Sequence, residues 1–192
     1  TTLFRMIAGD LQPDEGQIIV TGGLGIMRQF IGSIRDESTV RDLLISVSPE
    51  KIRNAAEKLK LAERALEEKN EEREQLAYAE ALSEWGDAGG YDQEVLWDMA
   101  ASKALGKTFD RVANREVNSL SGGEQKRLVL ELLLIGPEEV LILDEPDNYL
   151  DVPAKRWLEE EIRKSKKTVL FIFGSDFAGI IEFYNIRMCE LL

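Results

Sequence analysis

Histidine is absent from the 192 residues, and Cys189 is the one cysteine. The first absence removes every imidazole-based mechanism: nucleophile triads, histidine metal sites and histidine acid–base relays. The second removes an internal disulfide and a cysteine-rich zinc site, and makes a reducing compartment the default. No apolar run approaches the roughly 18 residues that a membrane span needs. An initiating methionine is also missing, and Thr1-Thr2-Leu3-Phe4-Arg5-Met6 has no signal-peptide character. Residues are therefore expected to precede Thr1. Positive charge is in short supply, with 24 Lys+Arg against 36 Asp+Glu and a net charge of −12. That argues against holding nucleic acid by bulk positive charge and leaves room for a local basic patch. The length fits one domain, with a small subdomain at most.

The hydrophobic pattern alternates between short apolar runs and helical periods. Residues 1–8 read as an uncapped helix carrying Leu3, Phe4, Met6 and Ile7. A turn-rich loop over 9–16 leads to a β-branched strand expected at 17–21, with Ile18, Ile19 and Val20. Gly22-Gly23 then turns the chain into a second short segment at 24–27. Thr39 is placed to cap a helix over 39–47.

Residues 51–85 contain neither Gly nor Pro. Ile52, Ala55, Leu59, Ala62 and Leu66 alternate three and four apart, which is a coiled-coil seam, and the seam fails at Lys69 and Arg73. Residues 70–75 are either the turn of a helical hairpin or an exposed stretch of one long helix. Nine acids and seven bases over 50–82 leave the element nearly balanced in charge. A further helix over 91–105 is expected to bury Val95, Leu96, Met99 and Leu105. Strands over 140–143 and 168–173, a helix from Pro153 to about Lys164 and a last strand over 186–191 complete an α/β layered fold with a largely parallel sheet.

Two places carry chemistry. The apolar run Leu141-Ile142-Leu143 ends in Asp144-Glu145, a Walker B pattern. A buried strand would fix Asp144 at its carboxyl end, where open α/β sheets bind ligands and where a carboxylate can hold Mg²⁺. Glu145 would then polarise a water; the plainer alternative is a solvated acidic turn. Upstream, Ser121-Gly122-Gly123-Glu124-Gln125 opens an apolar helix stopped by Gly136-Pro137. The glycines admit a close anion and the helix start adds a positive end. Ser121 followed by Glu124 is equally an ordinary capping box.

Together these motifs resemble the ATP-binding cassette superfamily over essentially the whole chain. Leu120-Ser121-Gly122-Gly123-Glu124-Gln125 is similar to its signature, Leu141 to Asp144 to Walker B, Glu145 to the catalytic glutamate, and Asn148-Tyr149-Leu150-Asp151 to the D-loop. Gln29 in Ile26-Met27-Arg28-Gln29 matches the Q-loop glutamine. Thr1-Thr2-Leu3 looks like the tail of a Walker A motif whose Gly and Lys lie before the first residue.

The wording of 144–151, of Gly90-Tyr91-Asp92-Gln93-Glu94-Val95-Leu96-Trp97 and of Leu128-Val129-Leu130-Glu131 is closest to the F subfamily, soluble paired cassettes that act on the ribosome. The resemblance implies a P-loop NTPase core with a helical signature subdomain at 91–135. It also implies an arm-like helical insertion at 50–84 that reaches ribosomal RNA or protein. The chain then reads as one incomplete cassette, residues 1–192, the first of a tandem pair, cytoplasmic, with ATP and Mg²⁺.

The resemblance also assigns roles. Thr1, Gln29 and Asp144 would organise Mg²⁺, and Glu145 would position the attacking water. Ser121, Gly122, Gly123 and Glu124 would act in trans on nucleotide held by a second cassette, with Asp151 in the D-loop. Ser175 falls where the switch histidine belongs, and a hydroxyl neither reaches as far as imidazole nor carries its charge. With the Walker A Gly and Lys also missing from this chain, the resemblance implies that the chain alone binds ATP poorly and hydrolyses it weakly if at all.

Three other readings stand beside this one: the ATPase subunit of a membrane transporter, the head of a chromosome-maintenance protein, and an inactive fragment. Trp85, Trp97 and Trp157 are expected to be packing residues, Cys189 a small buried hydrophobe, and Lys164, Lys166 and Lys167 a solvated helix end.

Overall fold

The structure is a computed structural model that describes residues 2–171 in full, together with the backbone of Ile172, Phe183 and Tyr184. Thr1, Ser175, Cys189 and the strand expected at 186–191 lie outside the described residues.

The chain opens with helix α1 (Thr2–Ile7) and enters the sheet at β1 (Leu24–Met27). The strand expected at 17–21 does not form, and Ile19 is 74% exposed there. β-branched residues favour extended backbone only where a neighbouring strand accepts it. The sheet begins instead where the Gly23 carbonyl takes the Glu139 and Val140 amides.

Next come α2 (Val40–Ser46), α3 (Glu50–Glu68), α4 (Glu72–Asp87), α5 (Gly90–Leu105) and α6 (Phe109–Val112), before a 3-10 turn at Val117–Ser119. Helix α7 (Gly122–Ile135) leads into β2 (Val140–Asp144), which is followed by α8 (Val152–Lys164), β3 (Thr168–Ile172) and β4 (Phe183–Tyr184).

The described strands stand in the order β1-β2-β3-β4. The first two pairings are parallel, with Met27 opposite Leu143 and Asp144 opposite Ile172, and β4 adds antiparallel to β3. Parallel neighbours need crossovers, and the one from β1 to β2 carries all the helices from α2 to α7. Strand β2 is buried on both faces. Ile142 and Leu170 pack against Phe4 of α1, while Leu141, Leu143, Val169 and Phe171 join the main core with α7 and α8. Gly25 is required here: a Cβ would lie 2.8 Å from Leu141 Cδ2 and 3.0 Å from Leu133 Cδ2, so a side chain would push α7 off the sheet.

Within the long crossover, Thr39 caps α2 through a complete capping box with Asp42. Residues 50–87 form a helical hairpin, which settles the choice left open at 70–75: α3 ends at Glu68 and α4 starts at Glu72. Ile52 and Ala55 are buried at the hairpin's base, while Leu59, Ala62 and Leu66 become only half-buried toward its tip. Lys58 pairs with Glu84 at 2.5 Å between the helices, and Lys60 ties the hairpin to Asp42 of α2 at 2.8 Å.

Helix α5 turns a different face inward from the one expected. Gln93, Trp97, Ala100 and Ala101 are buried, whereas Val95 and Met99 are exposed and Leu96 and Leu105 half-buried. The indole decides the rotation. Trp97 lies 6.0 Å from Trp85 and 5.3 Å from Phe109, ring centre to ring centre, and its N–H donates to the buried Ser48 hydroxyl at 3.2 Å. Gly90 makes room, since a Cβ there would run into the Trp85 ring. The tryptophans are packing residues as expected, and Trp157 receives the Arg127 guanidinium 3.2 Å above its ring.

The lysine run at the end of α8 is not uniformly solvated. Lys164 is exposed, but Lys167 reaches back to donate to the Leu133, Gly136 and Glu138 carbonyls at 2.9, 2.6 and 2.8 Å. It closes the carboxyl end of α7, where helix carbonyls otherwise lack donors. Burial holds its pKa below the ordinary lysine value, against the pull of Glu138.

Candidate functional site

Parallel pairing of β1 and β2 puts their carboxyl ends at one edge of the sheet, and the functional residues follow directly from both strands. After Met27 comes Arg28, held by Asp10 at 2.7 Å, and then Gln29. After Leu143 come Asp144 and Glu145. The Gln29 amide donates to Glu145 Oε2 at 2.9 Å, and the Asn148 amide donates to the same oxygen at 2.7 Å. The carboxylate is thus gripped from two sides and its other oxygen is left for a third group.

Glu145 is held in an unusual backbone state. Its φ is 49° and that of Tyr149 is 66°, left-handed values that cost a non-glycine residue about 1 kcal/mol or more. Strain of this kind persists only where surrounding contacts over-determine it. Here the Glu145 carbonyl accepts from the Asn148 amide N–H at 3.3 Å and from the ammonium of Lys126.

Asp144 is buried beside it. Desolvation, then the adjacent Glu145 charge, raises its pKa above the ordinary aspartate value, and Lys126 opposes that rise. Among the described residues no three acidic, histidine or cysteine side chains gather as a metal cage. Apart from Glu145, the donors at this edge are one carboxylate, Asp144, and one amide oxygen, Gln29. Those are hard oxygen ligands in the number that Mg²⁺ takes from protein when water and phosphate oxygens complete its shell, so the residues present fit a magnesium–nucleotide.

The run Ser121-Gly122-Gly123-Glu124 begins α7. Ser121 is its N-cap in a complete capping box: Ser121 Oγ accepts from the Glu124 amide at 3.2 Å, and Glu124 accepts from the Ser121 amide at 2.8 Å. Those hydrogen bonds from Ser121 hold Glu124 below the usual carboxylate range. The glycines serve close packing: a Cβ on Gly122 would meet the Gly32 carbonyl at 2.5 Å, and one on Gly123 the Tyr149 carbonyl at 3.0 Å. Buried Gln125 stitches the helix to its surroundings, donating to the Val117 carbonyl at 3.0 Å and exchanging bonds with Ile34. Asp151 caps α8 by accepting from the Ala154 amide at 2.8 Å, so its carboxylate is already engaged.

The structure therefore brings Gln29, Asp144 and Glu145 together and places Ser121, Gly122, Gly123 and Glu124 at the start of an adjoining helix. Thr1 and Ser175 lie outside the described residues. Lys126 and Asn148 were not singled out from the sequence as partners of Glu145. For Lys126 there was a signal, a lysine three residues before Val129 and seven before Leu133 on an inward face, which requires a buried acceptor.

The family described as ABC transporter matches residues 1–148. A protein of Mycobacteroides abscessus named "Antibiotic resistance protein" is 59% identical over 172 residues, covering 90% of this chain and 31% of that protein. The "Tylosin resistance ATP-binding protein TlrC" of Streptomyces fradiae is 35% identical over 178 residues, 90% of this chain and 32% of its own. The "Energy-dependent translational throttle protein EttA" of Mycobacterium tuberculosis is 26% identical over 186 residues, 90% of this chain and 30% of its own. The chain spans about a third of the length of these relatives. With the strand-end acids, the glutamine beside them and the glycine-marked helix in one architecture, the chain belongs to the ABC transporter family, whose members are ATPases.

Proposed function

We propose that this chain is an ATP-hydrolysing cassette of the F subfamily, working with a second cassette on the ribosome in the cytoplasm, through a helical arm at 50–84. The observation that carries the catalytic part is the Gln29–Glu145 hydrogen bond, which joins the ends of two parallel strands into one site. The ribosomal part is supported by the hairpin α3–α4, which projects from the crossover between β1 and the signature, and by relatives whose names speak of antibiotic resistance and translational throttling.

Asp144 and Gln29 would hold Mg²⁺, which would supply neutralisation of phosphate charge. Glu145 orients a water for in-line attack on the terminal phosphate of ATP, a reaction that needs mostly positioning and charge stabilisation. Gln29 and Asn148 restrain one carboxylate oxygen, so the other is free to accept a hydrogen bond from that water. Ser121, Gly122 and Gly123 present the positive end of α7 to nucleotide held by the partner cassette, with Glu124 keeping the Ser121 backbone in place. Asp151 keeps the start of α8 fixed behind the D-loop.

ATP hydrolysis by the protein and by Glu145→Gln tests the catalytic part. The variant is expected to lose turnover while retaining ATP and to hold two cassettes together; unchanged turnover overturns the assignment. Sedimentation with ribosomes in the presence of ATP tests the cellular part. Co-purification with a membrane permease instead favours a transporter subunit, the reading that the family's own description suggests. Among the described residues no helix is long and apolar enough to cross a membrane.

A further inference from the structure

Lys126 sits on α7, one helical turn after Gly122, and is fully buried. Its ammonium donates to the backbone carbonyl of Glu145. The Tyr149 ring lies 5.7 Å from that ammonium and covers it. Gly32 packs beside both: a Cβ there would stand 3.2 Å from Lys126 Cγ and 2.9 Å from the Tyr149 ring. A lysine packed this way loses its water and keeps a single strong acceptor, so the contact is one the fold has to specify. Its acceptor belongs to the residue held at a φ of 49°.

We propose that Lys126 is the positioning residue of the ATPase site: from the signature helix, its ammonium fixes the left-handed turn that aims the Glu145 carboxylate at Gln29 and Asn148. This rests on the reading of Glu145 as the group that orients the attacking water. The geometry gives the contact a further consequence. Gly122 and Lys126 are four residues apart and share a helix face. Gly122 abuts the Gly32 carbonyl and Tyr149, the same groups that enclose Lys126. A displacement of the start of α7 is therefore delivered to the Glu145 backbone through one rigid helical turn, and the signature of a cassette sets the aim of that cassette's own glutamate.

The test is Lys126→Met in the protein, compared with Lys126→Arg and Glu145→Gln by steady-state ATP hydrolysis, binding of a fluorescent ATP analogue and thermal unfolding. Methionine keeps the length and apolar packing and removes the donor. With Lys126→Met, kcat is expected to fall about tenfold, which is about 1.4 kcal/mol at the barrier. KM for ATP and analogue binding stay within about twofold, the pattern of an interaction needed only at the chemical step. The unfolding midpoint is expected to move by only a few degrees, because the lost bond to the Glu145 carbonyl is offset in part by removal of a desolvated ammonium. Lys126→Arg, which restores a donor in a larger head group, is expected to recover part of kcat, to a value above that of Lys126→Met.

Wild-type kcat in Lys126→Met, with Glu145→Gln inactive, overturns the role of Lys126 and leaves the site reading standing. Loss of folding in Lys126→Met overturns it too, since the ammonium would then hold the fold and not the glutamate. Full turnover in Glu145→Gln overturns the site reading and the role of Lys126 with it.

Discussion

Gln29 and Glu145 are 116 positions apart and are joined by a 2.9 Å hydrogen bond from the glutamine amide to the carboxylate. The bond joins the turns that follow two neighbouring strands, β1 and β2. It exists because the two strands are parallel and in register, so that both chains leave the sheet at the same level.

Removing that bond separates catalysis from stability. Gln29 is exposed, so Gln29→Ala is expected to change the free energy of unfolding by no more than about 0.5 kcal/mol. ATP turnover is expected to fall about tenfold or more, because a carboxylate freed on one side no longer holds its water in line. Phosphate release and urea unfolding of the same preparation check both halves.

Helix α5 supplies a pair of opposite outcomes. Trp97→Ala removes the ring between Trp85 and Phe109 and one of the two donors to the Ser48 hydroxyl, and is expected to cost about 3–5 kcal/mol. Val95→Ser, two residues away and exposed, is expected to stay within about 0.5 kcal/mol. Denaturant midpoints distinguish this arrangement from one in which Val95 faces the core.

Lys167→Met deprives three carbonyls, of Leu133 in the last turn of α7 and of Gly136 and Glu138 in the link that follows it, of their donor and is expected to destabilise the protein by about 2 kcal/mol. Lys164→Met removes only exposed pairs with Glu160 and Glu161 and is expected to be within about 0.5 kcal/mol. Thermal melts of the two variants give the comparison.

Asp42 gives the pH dependence. Partial burial pushes its pKa up, but hydrogen bonds from Lys60 and Thr39 outweigh that and bring it down to about 2. A depressed carboxylate stabilises the fold above its unfolded pKa of about 4, and that stabilisation is lost as pH falls toward the folded value. Asp42→Asn is therefore expected to be less stable than wild type at neutral pH, with the gap closing between pH 4 and about pH 2. Urea midpoints at several pH values measure the gap.

Much of the architecture was legible from short stretches. Thr39 and Ser121 announce capping boxes, Gly136-Pro137 stops α7, and Leu141-Ile142-Leu143 reads as a doubly buried strand; each depends on neighbours a few residues away. Where the reading failed, the deciding contact was distant. Residues 17–21 have strand composition and no described strand to pair with. Val95 and Met99 have helical spacing, but the larger surface of Trp97, with Ser48 and Phe109 to meet it, turned the helix the other way. Lys167 looks like part of a solvated run until the end of α7 is brought beside it.

The sequence by itself determined most of the helices, the strands at 140–143 and 168–172, the ends of α2 and α7, and the family, because capping, turn chemistry and hydrophobic period are local. Only the tertiary structure decided which side chains hold Glu145. Gln29 comes from the turn that follows β1, Lys126 from a helix and Asn148 from a tight turn, and three hydrogen bonds a few ångströms long converge on one residue through packing that no linear spacing encodes.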